Sequence, residues 1–149
     1  MPDPAHPKIE EWVGKLKQEV KNPDEHTYFI GHSIGCQAIL RYLETLPEKT
    51  KVGGVFCVAG WFMLQGLETA EEETIAQPWL ERPINSESIR KKVRQITAMF
   101  SDNDPFVSVA NAKRFEEMLG AKTIIAERQG HFNEKTAPLV LKIALEMTK

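Results

Sequence analysis

The segment Gly31-His32-Ser33-Ile34-Gly35 joins an apolar run, Tyr28-Phe29-Ile30, to a stretch with helical periodicity. Its form is Gly-x-Ser-x-Gly. In this context the form is typical of a nucleophile elbow, a sharp turn from a strand into a helix that presents a serine hydroxyl. Because the turn brings the helix close to the strand, we expect a side chain at either flanking glycine to collide with neighbouring backbone. The pattern predicts that Ser33 is a nucleophile.

Length and charge exclude several classes of protein. The 149 residues are enough for one domain with a substantial core. The net charge of −2 gives no electrostatic basis for binding nucleic acid. No apolar stretch approaches the roughly 20 residues of a membrane span, and the N-terminus does not resemble a signal peptide. We therefore expect one cytoplasmic domain, residues 1–149, without nucleic-acid or membrane partners.

The cysteines and the densest basic run offer no further chemistry. Cys36 and Cys57 lie in apolar runs and are expected to be buried, reduced thiols rather than a disulfide or a metal pair. No Cys/His cluster has zinc spacing, so we expect neither a metal nor a cofactor. The basic run 90–94 is expected to be the solvated end of a helix before a strand.

Short apolar runs alternate with amphipathic segments along the chain. Strands are predicted over 27–32, 53–59, 95–100 and 122–126, and helices over 7–20, 34–46, 107–119 and 136–147. Such alternation, with strands that are continuous apolar runs, favours a mainly parallel sheet with helices on both faces. The sequence predicts an α/β protein, a three-layer α/β/α sandwich.

Residues 60–85 interrupt this alternation. The segment contains Trp61, Phe62 and Trp79 together with three consecutive glutamates. A long connection inside a compact domain is usually functional, and this one lies on the side where ligands bind parallel sheets. We predict a small lid-like insertion in which Trp61 and Phe62 contact the substrate.

Two polar residues follow later predicted strands and complete a catalytic pattern with Ser33. Asp104 comes after the third strand, and His131 comes after the fourth. A serine hydroxyl needs a base to take its proton, and the base needs an orienting carboxylate. The order Ser, Asp, His is the one found in sheet hydrolases, where each member follows a strand. The sequence therefore predicts a triad of Ser33, Asp104 and His131.

Two members of this triad, Asp104 and His131, also have simpler interpretations. Asp104, before Pro105, suits the cap of the next helix, and Asp102 is an alternative acid. His131 in its loop suits an ordinary exposed histidine, and His32 is expected to pack beside the nucleophile rather than titrate. The joint occurrence in the right order favours the triad.

Five segments carry a family resemblance: Gly31-His32-Ser33-Ile34-Gly35-Cys36-Gln37-Ala38, Arg41-Tyr42, Arg82-Pro83, Ser101-Asp102-Asn103-Asp104-Pro105-Phe106 and Gly130-His131-Phe132. In these five segments the chain resembles the small α/β-hydrolases related to retinoblastoma-binding protein 9. The resemblance runs the length of the chain. It implies a serine hydrolase fold, with Ser33 as nucleophile, Asp104 as acid and His131 as base, that acts on small acyl substrates as an esterase or amidase.

The chain departs from this family in two ways. It lacks a Leu-x-Cys-x-Glu motif, so binding to retinoblastoma proteins is not implied. It also lacks the family's first strand and the Pro-Gly-x-Gly-type loop, which would lie beside the nucleophile strand and donate one oxyanion-hole N–H. An upstream segment of a longer protein, a second subunit in a homodimer through the exposed sheet edge, or a loss of catalysis would each account for this. We expect the first, because the triad is intact.

The expected reaction is acyl transfer through a covalent intermediate on Ser33, with the N–H of Ile34 as one oxyanion donor. Two other functions remain open at this point. One is a non-catalytic interaction module with the same fold, inactive without a complete oxyanion hole. The other is a small-ligand binder that uses Trp61, Phe62 and Trp79.

Overall fold

The computed structural model describes all 149 residues and is built around a four-stranded parallel sheet. The strands lie in chain order: β1 (Tyr28–His32), β2 (Val52–Val58), β3 (Val93–Ser101) and β4 (Lys122–Ala126). The helices are α1 (Ile9–Glu19), α2 (Ile34–Glu44), α3 (Ala70–Glu81), α4 (Ser86–Lys92), α5 (Ala110–Leu119) and α6 (Pro138–Met147). The predicted α/β class and parallel sheet are confirmed.

Helices cover the two faces of the sheet unequally. Crossovers between parallel strands are almost always right-handed, so strands in chain order place their connecting helices on one face. The main core of 25 buried residues lies there and includes Val55 and Cys57. The alternate residues Phe56 and Val58 belong to a smaller cluster, against which α6 packs. The layer on the second face is therefore this last helix alone.

β1 is an edge strand, so one side of its backbone has no neighbouring strand. Ile30, in the middle of β1, is 56% exposed. An unpaired edge of this kind can accept another strand. The homodimer through this edge stays a prediction.

The predicted insertion contains a helix that the periodicity did not indicate. α3 begins with a capping box, in which the Thr69 side chain accepts from the Glu72 N–H and the Glu72 carboxylate accepts from the Thr69 N–H. Its buried residues are only Ala76 and Trp79, too few to make an apolar stripe. The Thr-x-x-Glu pattern was the available signal for this helix.

Helix α2 fastens both ends of the 60–85 segment. Gln37 Nε2 donates to the Trp61 carbonyl at 2.6 Å. Arg41 Nη2 donates to the carbonyls of Trp79 and Arg82 at 2.8 and 2.7 Å. Because both side chains are buried, these bonds are shielded from water. The segment is thus tied to the helix that begins immediately after Ser33.

The basic run does not behave as the sequence predicts. Lys92 is 2% exposed, and its Nζ donates to the carbonyls of Leu43 and Glu44 at the end of α2. Burial lowers the pKa of Lys92. The expectation of a fully solvated run is therefore wrong for Lys92, which caps a neighbouring helix. Lys91 is exposed, as expected, and pairs with Glu87 at 2.6 Å.

The two cysteines are free and buried, as predicted. The Cys36 thiol lies 3.6 Å from the carbonyl of Val58, and burial raises its pKa well above the ordinary value. No helix is both long and apolar enough to cross a membrane.

The glycines that flank Ser33 differ, which corrects the expectation that both avoid collisions. A Cβ on Gly31 would lie 2.8 Å from Ile39 Cδ1 and 2.9 Å from the Cys36 nitrogen. A Cβ on Gly35 would meet nothing within 4 Å. Only Gly31 is therefore required by close packing between β1 and α2.

This difference gives a matched pair of variants. Gly31→Ala is expected to lower the free energy of unfolding by about 1–3 kcal/mol, because the added methyl forces backbone apart. Gly35→Ala is expected to leave it unchanged or raise it by up to about 1 kcal/mol, because alanine favours helix over glycine. Chemical denaturation of both variants measures the difference, and equal losses would contradict this packing.

Candidate active site

Ser33 occupies a strained turn between β1 and α2. Its φ of 51° and ψ of −122° lie outside the regions that L-residues normally adopt. Such a conformation costs on the order of 1–3 kcal/mol and persists only when the surroundings hold it. The Ser33 N–H donates to the Val58 carbonyl at 2.9 Å, and the Ser33 carbonyl accepts from the Cys36 N–H at 3.0 Å. These bonds fix the backbone of the turn.

The first N–H groups of α2 are available to a ligand. The N–H groups of Ile34 and Gly35 donate to no backbone or side-chain group. Unpaired N–H groups at a helix start form the positive end of the helix dipole. An oxygen that gains negative charge beside Ser33 fits this position.

Asp104 and His131 meet, as the triad requires. Asp104 Oδ2 accepts a hydrogen bond from His131 Nδ1 at 2.8 Å, and the two side chains are 1% and 13% exposed. The other oxygen, Oδ1, accepts from the N–H groups of Phe106 and Val107 at 2.9 and 3.0 Å. The carboxylate is therefore held on both oxygens. With Nδ1 bonded to Asp104, Nε2 of the imidazole is left to act as a base.

The simpler interpretations of Asp104 and His131, as a helix cap and as an exposed histidine, do not hold. Helix α5 begins at Ala110 with Val109 at its N-cap, so Asp104 caps the turn at 105–107 rather than that helix. His131 is not an ordinary exposed histidine, because its ring is mostly buried and bonded to Asp104.

The three residues before Asp104 hold the loop that carries His131. Each offers a side-chain oxygen to one of three consecutive backbone N–H groups. The bonds are Asp102 Oδ1 with Arg128 at 2.7 Å, Ser101 Oγ with Gln129 at 2.9 Å and Asn103 Oδ1 with Gly130 at 2.8 Å. We call these bonds, with the Asp104–His131 bond, the loop ladder. Asp102, the alternative acid, thus binds backbone and not the imidazole.

The loop held by the ladder is conformationally strained. Arg128, Gly130 and Phe132 have φ values of 47°, 53° and 56°. Left-handed backbone is unfavourable for residues with a Cβ, so Arg128 and Phe132 need external support. The ladder supports Arg128 directly through Asp102, and the Phe132 N–H donates to the Gln129 carbonyl at 3.0 Å, within the segment that the ladder holds.

His32, directly before Ser33, also contacts the histidine loop. Its Nε2 lies 2.7 Å from the His131 carbonyl, and the two ring centroids are 4.9 Å apart. Part of His32 is exposed to solvent. The pKa of its imidazole is lowered, mainly because the rest of the ring is shielded from water. The Ser33 hydroxyl and His131 Nε2 are not hydrogen-bonded in the structure. Such bonds are often long without substrate.

The aromatic residues predicted to contact substrate differ in accessibility. Trp61 and Trp79 are 2% and 1% exposed and belong to the main core, so they present almost no surface to a ligand. Phe62 is half-buried and packs on Phe115 with centroids 4.8 Å apart. Of the three, Phe62 has the surface to meet a substrate.

Asn111 positions Phe62, and sequence reasoning missed it. This fully buried side chain accepts from the N–H groups of Phe62 and Met63 at 2.8 and 3.1 Å, and donates to the Met63 carbonyl at 3.1 Å. An asparagine inside a predicted helix was the one available signal. No three His, Cys, Asp or Glu side chains form a group that could hold a metal ion.

Comparison with known proteins agrees with this architecture. Residues 1–138 match the family model described as serine hydrolase. The YdeN protein of Bacillus subtilis is 29% identical over 135 residues, which are 90% of this chain and 68% of that protein. The serine hydrolase RBBP9 of Rattus norvegicus is 26% identical over 147 residues, 99% of this chain and 74% of that protein.

Solved structures show the same fold. The crystal structure of the ydeN product of B. subtilis matches with a TM-score of 0.85 at 24% identity, over 99% of this chain and 78% of that one. The esterase RhEst1 from Rhodococcus sp. ECU1013 matches with a TM-score of 0.63 at 14% identity, over 97% and 74%. Because the family model spans most of its length, the chain belongs to the serine hydrolase family and is an enzyme with an α/β-hydrolase fold.

Proposed function

We propose that this serine hydrolase cleaves small ester or amide substrates through an acyl-enzyme on Ser33, with His131 as base and Asp104 as the orienting acid. The observation that carries the proposal is the buried hydrogen bond of 2.8 Å between Asp104 and His131. These two residues follow the carboxyl ends of β3 and β4, and Ser33 follows the carboxyl end of β1 in the same sheet. A carboxylate on Nδ1 selects the imidazole tautomer that can accept a proton at Nε2.

The proposed reaction has two halves. His131 Nε2 takes the Ser33 hydroxyl proton as Oγ bonds to the substrate carbonyl carbon, and the resulting oxyanion lies against the Ile34 N–H. Collapse breaks the bond to the alcohol or amine, which leaves with the proton from His131. Water then repeats the sequence on the acyl-enzyme, releasing the acid and restoring Ser33.

The proposed substrate class rests on the accessible aromatic surface of the 60–85 segment. Phe62 is the accessible aromatic residue of the 60–85 segment, and Asn111 and Phe115 hold it in place. Apolar side chains next to a few fixed polar groups are typical of small-molecule sites. A small acyl group suits such a surface.

A fluorophosphonate probe tests the nucleophile. Its phosphorus forms a bond to Ser33 Oγ and loses fluoride, while His131 takes the hydroxyl proton. We expect labelling of the wild type, none of Ser33→Ala, and wild-type labelling of Ser86→Ala, a serine on α4 without side-chain hydrogen bonds. Gel fluorescence and peptide mapping measure the result. If Ser33→Ala is labelled like the wild type, another residue reacts with the probe and Ser33 is not the nucleophile. If the wild type itself is not labelled, the non-catalytic module becomes the better account.

A second pair of variants tests the acid. Asp104→Asn is expected to slow labelling by about 10³- to 10⁴-fold, because an amide donor favours the wrong imidazole tautomer. Asp102→Asn is expected to stay within several-fold of wild type, because its amide oxygen can still accept from the Arg128 N–H. Pseudo-first-order labelling rates measure both. A larger loss in Asp102→Asn would assign the acid to Asp102.

A third pair tests the loop ladder. Asn103→Ala removes the acceptor of the Gly130 N–H and is expected to lower the free energy of unfolding by about 1 kcal/mol. The same change should slow labelling, because the His131 loop loses one support. Asn133→Ala, an exposed residue two positions after His131, is the control and should change stability by less than about 0.5 kcal/mol. Equal effects from the two variants would show that the ladder does not hold the loop.

A further inference from the structure

The supports of His131 do not fix its distance from Ser33. All four bonds of the loop ladder come from residues 101–104, which follow β3. Ser33 follows β1, and β2 lies between these strands. With strands about 4.8 Å apart, the ends of β1 and β4 are separated by roughly 14 Å, which the His131 loop must cross. Something other than the ladder has to set how far it reaches.

His32 makes the direct link across this gap. Its Nε2 lies 2.7 Å from the His131 carbonyl, which accepts no other hydrogen bond. A carbonyl oxygen can only accept, so Nε2 of His32 carries the hydrogen and donates. Because His32 is bonded through the backbone to Ser33, the contact connects the elbow to the histidine loop without an intervening strand.

The environment of His32 suits this role at neutral pH. The titratable groups that face it are His131 and Asp104. Burial lowers the pKa of His32 and outweighs the hydrogen bond to the His131 carbonyl and the charge of Asp104, which both raise it. The ring is therefore neutral above its ordinary titration range and adds no positive charge beside the imidazole that must accept a proton. A neutral donor can hold the His131 main chain while leaving the base character of the side chain intact.

We infer that His32 is a positioning residue, which sets the distance between Ser33 and His131 by donating Nε2–H to the His131 carbonyl. The inference rests on the proposed function, since it assigns the distance between the proposed nucleophile and base. His32 does not touch the reacting atoms in this account. It acts through the main chain of His131.

Two variants separate the hydrogen bond from the packing of the ring. His32→Phe keeps an aromatic ring against His131 and removes the donor. His32→Gln removes the ring and places an amide nitrogen at about the reach of Nε2. We expect His32→Phe to lower kcat for 4-nitrophenyl acetate by at least about tenfold with little change in KM, because orientation matters mainly for the chemical step. We expect His32→Gln to recover to within about threefold of wild type.

Hydrogen exchange of the loop provides a readout that does not need activity. In His32→Phe, backbone amides of residues 128–132 should exchange faster than in wild type, while His32→Gln keeps wild-type protection. Thermal denaturation of each variant confirms that it is folded. If the fluorophosphonate probe does not label the wild type, the proposed function is wrong. The exchange data alone would then decide whether His32 holds the loop.

Other outcomes overturn the inference. If His32→Phe matches wild type in kcat and in exchange, the hydrogen bond does not position His131. If His32→Gln is as impaired as His32→Phe, the ring and not the donor is what matters. Support requires the loss in His32→Phe together with the recovery in His32→Gln.

Discussion

The loop ladder is the interaction on which the arrangement of the site depends. β3 and β4 pair in parallel up to Ser101 and Ala126, and the Asp102 N–H still donates to the Ala126 carbonyl at 3.1 Å. Beyond that point backbone pairing stops, and side-chain oxygens of residues 101–103 take over the N–H groups of residues 128–130. The Asp104–His131 bond is the last rung. Asp104 and His131, the proposed acid and base, therefore extend a strand pair, which explains how two loops can hold a single geometry.

The same chain topology explains why α2, the helix that follows Ser33, has so many contacts with its surroundings. Strands in chain order send their connecting helices to one face, so α2 packs among its neighbours there while α6 covers the other face. The side chains of Gln37 and Arg41 hold the two ends of the 60–85 segment, and Lys92 caps the end of α2. An elbow with a positive φ at Ser33 needs a helix that cannot shift. These buried polar contacts supply that restraint.

The features of the fold and site that could be predicted from the sequence are those that depend on residues close together in the chain. Gly-x-Ser-x-Gly and the order of Asp104 and His131 are local patterns after apolar strands, so the sequence predicted that these residues gather at one edge. Asp102 and Asp104 stand two positions apart, and only the path of the loop decides which one faces the imidazole. Lys92 looked solvated because its partners, Leu43 and Glu44, are almost fifty residues away. Helix α3 was missed because its mostly polar surface carries no apolar stripe.

Four of the five non-glycine residues with positive φ follow the carboxyl ends of strands, the exception being Asp3. Ser33 follows β1, Ala59 follows β2 with a φ of 47°, and Arg128 and Phe132 follow β4. Each such residue costs on the order of 1–3 kcal/mol. No local sequence preference supports these conformations. They persist because bonds from neighbouring strands and loops determine them, such as the Ala59 N–H to the Met99 carbonyl at 2.8 Å. The geometry of the site is thus a property of the assembled sheet.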